Sequence, residues 1–268
     1  MKDGRLRDFG SMTELVASCP SDPSSVIHRD PMRILINHLT RMHGGHICVA
    51  GVDLQTRRHV RPMLANDPLP FYLLARYGGP FEMAMIVDLG SPRAAPVTPH
   101  VEDYVFVPAR AKGGRLAAAQ EFWSVLEELQ RADLRAIFGP ALHEASRGRW
   151  VMDPGQGAMS LGLIRPAAPP ELYLEKVANG RRRIRMMFSD GRLQADASVT
   201  DIRLFGDDHA TPDAARVRAT AQRIADSPDV ILGVGLTRQF RASDRAPAYH
   251  WLQVNNIHLP SEPLWQLR

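Results

Sequence analysis

His43-Gly44-Gly45-His46-Ile47-Cys48-Val49-Ala50-Gly51 and Val234-Gly235-Leu236-Thr237-Arg238 are the stretches whose reading decides the fold. In the first, paired glycines stand before a short apolar run; in the second, an apolar run ends in a polar turn and an arginine. Both patterns describe β-strands leaving tight turns. Around the first lie Arg33-Ile34-Leu35-Ile36-Asn37, suited to a buried strand, and Arg58-His59-Val60-Arg61-Pro62, suited to a third. After the second comes His250-Trp251-Leu252-Gln253-Val254, inside a strand expected over 249–257.

Working outward, 69–77 reads as a short helix or turn closed by Gly78-Gly79-Pro80, and 81–88 and 101–107 read as two further strands. The order is three strands, a short insertion and two strands. A helix is expected over 115–131, where Phe122, Leu126 and Leu129 share one face, with Leu134, Ile137 and Phe138 continuing that face until Gly139-Pro140. Asp153-Pro154-Gly155-Gln156-Gly157 then precedes a short strand at 159–164. The second half repeats the order: strands at 172–177 and 182–188 flank the hairpin signal Ala178-Asn179-Gly180, and a long strand covers 193–204. A helix follows, with Thr211 as cap, Pro212 at its first position and Asp213 in its first turn. Asp226-Ser227-Pro228 ends it, and strands at 230–236 and 249–257 close the chain.

This order, found twice, is that of the oligonucleotide- and oligosaccharide-binding (OB) barrel. The expected class is mainly β with a few helices (α+β), two OB-like five-stranded barrels joined by a helical connector. The expected divisions are a loose polar arm at 1–31, a first barrel at 32–110, the connector at 111–158 and a second barrel at 159–268. The 268 residues are 44% hydrophobic, enough for a sizeable core. The formal net charge of +4 suits an anionic partner, and only Lys2, Lys112 and Lys176 are lysines, so nearly all the basic charge is Arg, whose planar fork matches phosphate.

Cys19 and Cys48 are the only cysteines, which excludes a disulfide framework and a four-cysteine metal site and makes a reducing cytoplasm the expected location. Val16-Ala17-Ser18-Cys19 looks locally like a lipoprotein cleavage site, but the residues before it are too polar for a signal peptide. No run approaches the ~18 apolar residues of a membrane span. No cofactor is expected, and no catalytic residue is assigned: nucleophile-elbow, P-loop and zinc-protease motifs are missing from the sequence.

The opening strand Arg33-Ile34-Leu35-Ile36, the Gly44-Gly45 turn with Cys48 and Ala50-Gly51 behind it, Arg61-Pro62, Gly235-Leu236-Thr237-Arg238 and Trp251-Leu252-Gln253-Val254 together resemble the bacterial dual-OB-containing domain family over roughly residues 32–259. The chain departs from that pattern at His46, where the family has a basic residue, and at Gln239, where it has proline, so no ligand contact is carried over to those two positions. The resemblance implies recognition of a nucleic acid or nucleotide and a sensing role in a bacterial defence system.

Candidate ligand residues follow from the residue types. Arg41, His43, Gly44 and Gly45 lie in the loop joining the first two strands, where glycines let backbone amides approach a ligand; a plain tight turn explains the same glycines. Arg61, Arg165 and Arg238 stand at strand ends, where a guanidinium either clamps a phosphate or pairs with a carboxylate such as Asp53, Asp88 or Asp244 and locks the barrels together. Arg183 and Arg185, in the densest basic run, fall on one face of a strand and suit a phosphate backbone, or a solvated hairpin edge. Tyr249, Trp251, Gln253 and Asn255 alternate along a strand as a stacking platform with amide readout, or as core. His43-x-x-His46 with Cys48 and His38 falls short of a zinc site, since Cys48 is expected to face the core. Asp207, Asp208 and His209 read as a solvated loop. A binding module is the leading reading; a protein-interaction scaffold and a metal-dependent nuclease or hydrolase on His43, His46 and Asp53 are the alternatives.

Overall fold

The structure, a computed structural model, describes residues 31–177, 180–227, 229–241 and 246–267. The arm expected at 1–31 therefore lies outside the described residues apart from Pro31, as do Ala178, Asn179, Pro228, Cys19 and Asp244.

The first sheet is built from β1 (Arg33–Met42), β2 (His46–Asp53), β3 (His59–Met63), β4 (Met85–Asp88) and β5 (Asp103–Val105). Its order is β5-β3-β2-β1-β4, with β5 parallel to β3 and the other neighbours antiparallel, and β6 (Lys112–Leu116) extends it beyond β4. Between β3 and β4, two single-turn 3₁₀ helices, Phe71–Leu73 and Ala75–Tyr77, occupy the place of the insertion. Buried positions run without break from Ile34 to Thr40, because β1 is covered on both faces. Gly51 is required where it sits: a Cβ there would stand 2.7 Å from the Leu35 carbonyl oxygen across the β1–β2 ladder.

In the connector region, α1 (Ala119–Leu129) and α2 (Leu134–Phe138) are separate helices. The helix expected from residue 115 starts later because Lys112–Leu116 pairs with β4. Leu134, Ile137 and Phe138 do not continue α1; Asp133 caps a new turn by accepting from the Ala136 amide at 2.8 Å. Phe122, Val125 and Leu126 of α1 join the core of the first sheet, whereas α2 joins that of the second. The same region contributes a hairpin, β7 (His143–Ser146) and β8 (Arg149–Met152), to the second sheet.

The second sheet comprises β9 (Leu161–Ile164), β10 (Glu171–Lys176), β11 (Arg182–Ser189), β12 (Gln194–Val199), β13 (Ile231–Leu236) and β14 (Ala248–His258). Its order is β10-β11-β12-β14-β13-β9, with β12 parallel to β14. The strand expected over 193–204 ends at Val199, and Ile202–Leu204 forms a 3₁₀ turn. α3 (Ala214–Asp226) sits between β12 and β13, and its cap is Asp213, which accepts from the Ala215 and Arg216 amides; Thr211 instead bonds the Asp208 carboxylate. In each half the third strand pairs in parallel with the fifth, the signature of the OB strand order. Among the described residues no pairing joins β4 to β5 or β10 to β13, so neither sheet is closed by hydrogen bonds. In the second half β9 takes the open edge of β13, and the chain then turns through Pro166, Pro169 and Pro170 into β10, dividing the work of one long first strand between two short ones.

Candidate nucleic-acid interface

β1 and β14 bring the halves together. Along β14, half-buried and buried residues alternate as far as Val254; from there to His258 every residue is buried, because this end passes beneath the first half. The Asn256 side chain mimics a neighbouring strand, accepting from the Leu39 amide at 2.8 Å and donating to the Leu39 carbonyl at 3.1 Å. Asn255 meets His38 at 3.2 Å. Gly235 and Gly233 of β13 make room for these side chains: a Cβ on Gly235 would lie 2.5 Å from the Asn255 amide nitrogen, and one on Gly233 would lie 3.0 Å from the His38 ring. Buried Asp201 receives two guanidinium bonds from Arg203 and the Ile257 amide.

Arg61, expected at a strand end either to clamp a phosphate or to pair with a carboxylate, is 5% exposed within this seam. Its guanidinium bonds Asp103 at 2.6 Å, His100 at 2.8 Å and Ser160 at 3.0 Å, while Glu102 accepts from the Ser160 amide and hydroxyl. The pairing alternative thus describes its geometry, with Asp103 as the partner and not Asp53 or Asp88. Burial and the Arg61 charge together push the His100 pKa far down. Arg238 is exposed and pairs with the other oxygen of Asp103 at 2.7 Å. Arg165 joins Glu127, Gln130 and Asp229, tying β9 to the end of α1.

Beside the seam lie two clefts. One, a groove of about 850 Å³, opens between β1, β2 and the loop after β3 on one side and β13 and β14 on the other. Pro62, Met63, Leu64 and Leu236 give it apolar walls, and Arg41, His43, Arg61, Arg238, Gln253 and Phe240 also line it. Cys48, expected to face the core, is half-buried and lines this groove. The second cleft, also about 850 Å³, lies between the Gly44-Gly45 turn and the start of β11; Arg41, His43, Arg182 and Arg183 border it. Gly44 and Gly45 have φ of 71° and 79°, so the turn itself demands glycine whatever else it does.

Arg183 and Arg185 do not present one basic face. Arg183 is exposed, whereas Arg185 is 2% exposed and held by Asp196 and Ser198 of β12, a neighbour that strand alternation in β11 does not reveal. His209, expected in a solvated loop, has its ring buried against Phe71 at 4.6 Å between centroids and meets the Tyr77 hydroxyl at 3.1 Å, lining the arginine cleft. Its neighbours Asp207, Asp208 and Ala210 are exposed. Trp251 is half-buried, with Phe240 at 5.9 Å and Tyr249 at 6.1 Å between ring centroids. Gln253 donates to Asn255 at 2.8 Å, and Asn255 is buried in the seam, so the expected platform stops at Gln253.

Among the described residues no three His, Cys, Asp or Glu side chains converge as metal ligands. His46 and Asp53 terminate opposite ends of β2, roughly 23 Å apart at the rise of a strand, and His38 is buried in the seam. No described helix is long and apolar enough to cross a membrane.

The family model of the dual OB-containing domain matches the chain over residues 32–257. The chain belongs to that family. No curated protein and no solved structure matches it. In this dual OB-containing domain the first-half residues Arg41 to His43 line one groove with the second-half residues Arg238, Phe240 and Gln253, and the same three residues also border the second cleft, with Gly44 and Gly45.

Proposed function

We propose that the chain binds a nucleic acid or nucleotide in the groove between the halves, and that it acts by binding and not by catalysis. The observation that carries this reading is the groove itself: about 850 Å³, within the range of small-ligand sites, with apolar walls, an amide at Gln253 and the Arg238 guanidinium at its border, and with Arg41 shared with the neighbouring cleft, where its guanidinium lies over Phe205. Apolar walls accept a base or sugar, and arginine forks accept phosphate. OB folds commonly use such surfaces for oligonucleotides. The sensing role in bacterial defence implied by the family resemblance depends on this binding.

A salt series tests it. Binding of labelled DNA, RNA and mononucleotides should weaken steeply as salt rises, because bound phosphates release counterions, and Arg41→Ala and Arg238→Ala should each weaken it by about tenfold. Salt-independent capture of a protein partner, with no affinity for any of these ligands, would instead support the scaffold reading, which the exposed Phe240 and the apolar groove walls favour.

A further inference from the structure

The groove and the arginine cleft are not independent: both are bordered by Arg41, Met42 and His43. We propose that they form one continuous site, and that its ligand is a single strand of nucleic acid long enough to cross this hairpin. The inference rests on the nucleic-acid reading above and specifies its ligand.

Each cleft alone has the size of a small-molecule pocket, so the pair exceeds what one nucleotide fills. The two ends differ in chemistry. At the arginine end, Arg182 and Arg183 are exposed and make no ion pair among the described residues; Arg183 stands opposite Glu175 in the ladder, but that carboxylate is directed to Arg149 and Arg185. These two cations suit phosphates. At the groove end, Phe240 is 47% exposed and packs against the half-buried Trp251, which in turn meets the half-buried Tyr249. Exposed rings recruit bases whose faces are free. A duplex keeps its bases stacked on one another and would leave the Phe240 ring unused, whereas an unpaired strand can stack on it and lead its backbone over Arg41 into the arginine cleft.

The test is fluorescence anisotropy with labelled oligothymidylates of about 4 to about 16 nucleotides, the range of site size for OB folds, and a duplex of the greatest length. Affinity should rise by about tenfold or more from the shortest to the longest strand, and the duplex should bind more weakly than that strand. The Arg182→Ala/Arg183→Ala variant should lose the gain with length while binding the shortest strand within about twofold of the unaltered protein; Phe240→Ala should weaken every length. Because both arginines are exposed, the double variant should melt like the unaltered protein, and Arg182→Gln alone serves if it does not. Equal affinity for short and long strands, or tighter duplex binding, overturns the single-strand path and leaves the groove reading standing. No binding of any strand overturns the single-strand path, and no binding of strand, duplex, RNA or mononucleotide overturns both.

Discussion

The seam between the two halves and the clefts beside it are built from the same residue types, used in opposite ways. In the seam, Arg61 and Arg203 are 5% and 2% exposed, and each meets an aspartate at 2.6 Å. In the clefts, Arg182 and Arg183 stand exposed without ion pairs among the described residues, and Arg41 lies over the Phe205 ring at 5.1 Å and bonds the Ala210 carbonyl. A guanidinium taken out of water must be matched by a carboxylate and further acceptors, whereas one left in solvent needs no partner. The difference separates arginines that hold the halves together from arginines available to a phosphate.

The largest effect should come from breaking a seam pair. Asp103→Ala leaves the buried Arg61 charge unmatched and should cost about 3–5 kcal/mol in urea denaturation, while Arg182→Ala should change stability by less than about 0.5 kcal/mol. Similar costs for the two would erase the distinction between seam and cleft.

Acid should act on the seam as well. Burial, the neighbouring His59 and His258, and Arg61 hold the His38 pKa well down; burial foremost, then Arg203, lowers His258 to about 3, and burial, then Arg131, lowers His59 to about 4. Each histidine takes up its proton in the unfolded chain before the folded one, so stability is intact above the unfolded value near 6.5 and declines as pH falls toward the folded values. Between pH ~6 and pH ~4 the loss should approach ~1.4 kcal/mol per pH unit for each such histidine. Thermal melts across that window check it, and unchanged melting would show that these rings are hydrated.

Asn256→Ala removes both bonds to Leu39 and should cost about 1–3 kcal/mol. Arg238→Ala sharpens the comparison most finely, because Arg238 belongs to both regions: it is exposed, yet it pairs with the seam residue Asp103. Asp103 keeps its bond to Arg61, so the stability cost should stay below about 1 kcal/mol, while phosphate-dependent binding falls.

Much of the strand order was readable, because apolar runs bounded by glycine and proline, such as those of β1, β2 and β13, announce themselves locally. The Gly44-Gly45 turn was readable for the same reason. Pairings that depend on distant residues were not. Arg61 meets Asp103, His100 and Ser160 only after β5 has paired with β3 and β9 has reached the seam. Arg185 shares a strand face with Arg183 by periodicity, but Asp196 across the ladder draws only one of them inward. The cap of α3 moved from Thr211 to Asp213 because Asp208 captured the threonine hydroxyl, a competition between neighbours that a capping pattern does not rank. His209 carried no signal in sequence: its burial depends on Phe71 and Tyr77, more than a hundred residues earlier.

Ultraviolet cross-linking of the protein to labelled single-stranded nucleic acid, followed by mass spectrometry of the linked peptides, tests the central claim most directly. The account predicts links in peptides carrying Met42 to Gly45 and Phe240, suppressed by high salt. Links confined to the separate cleft that Arg147, Pro169 and Arg192 line would contradict it.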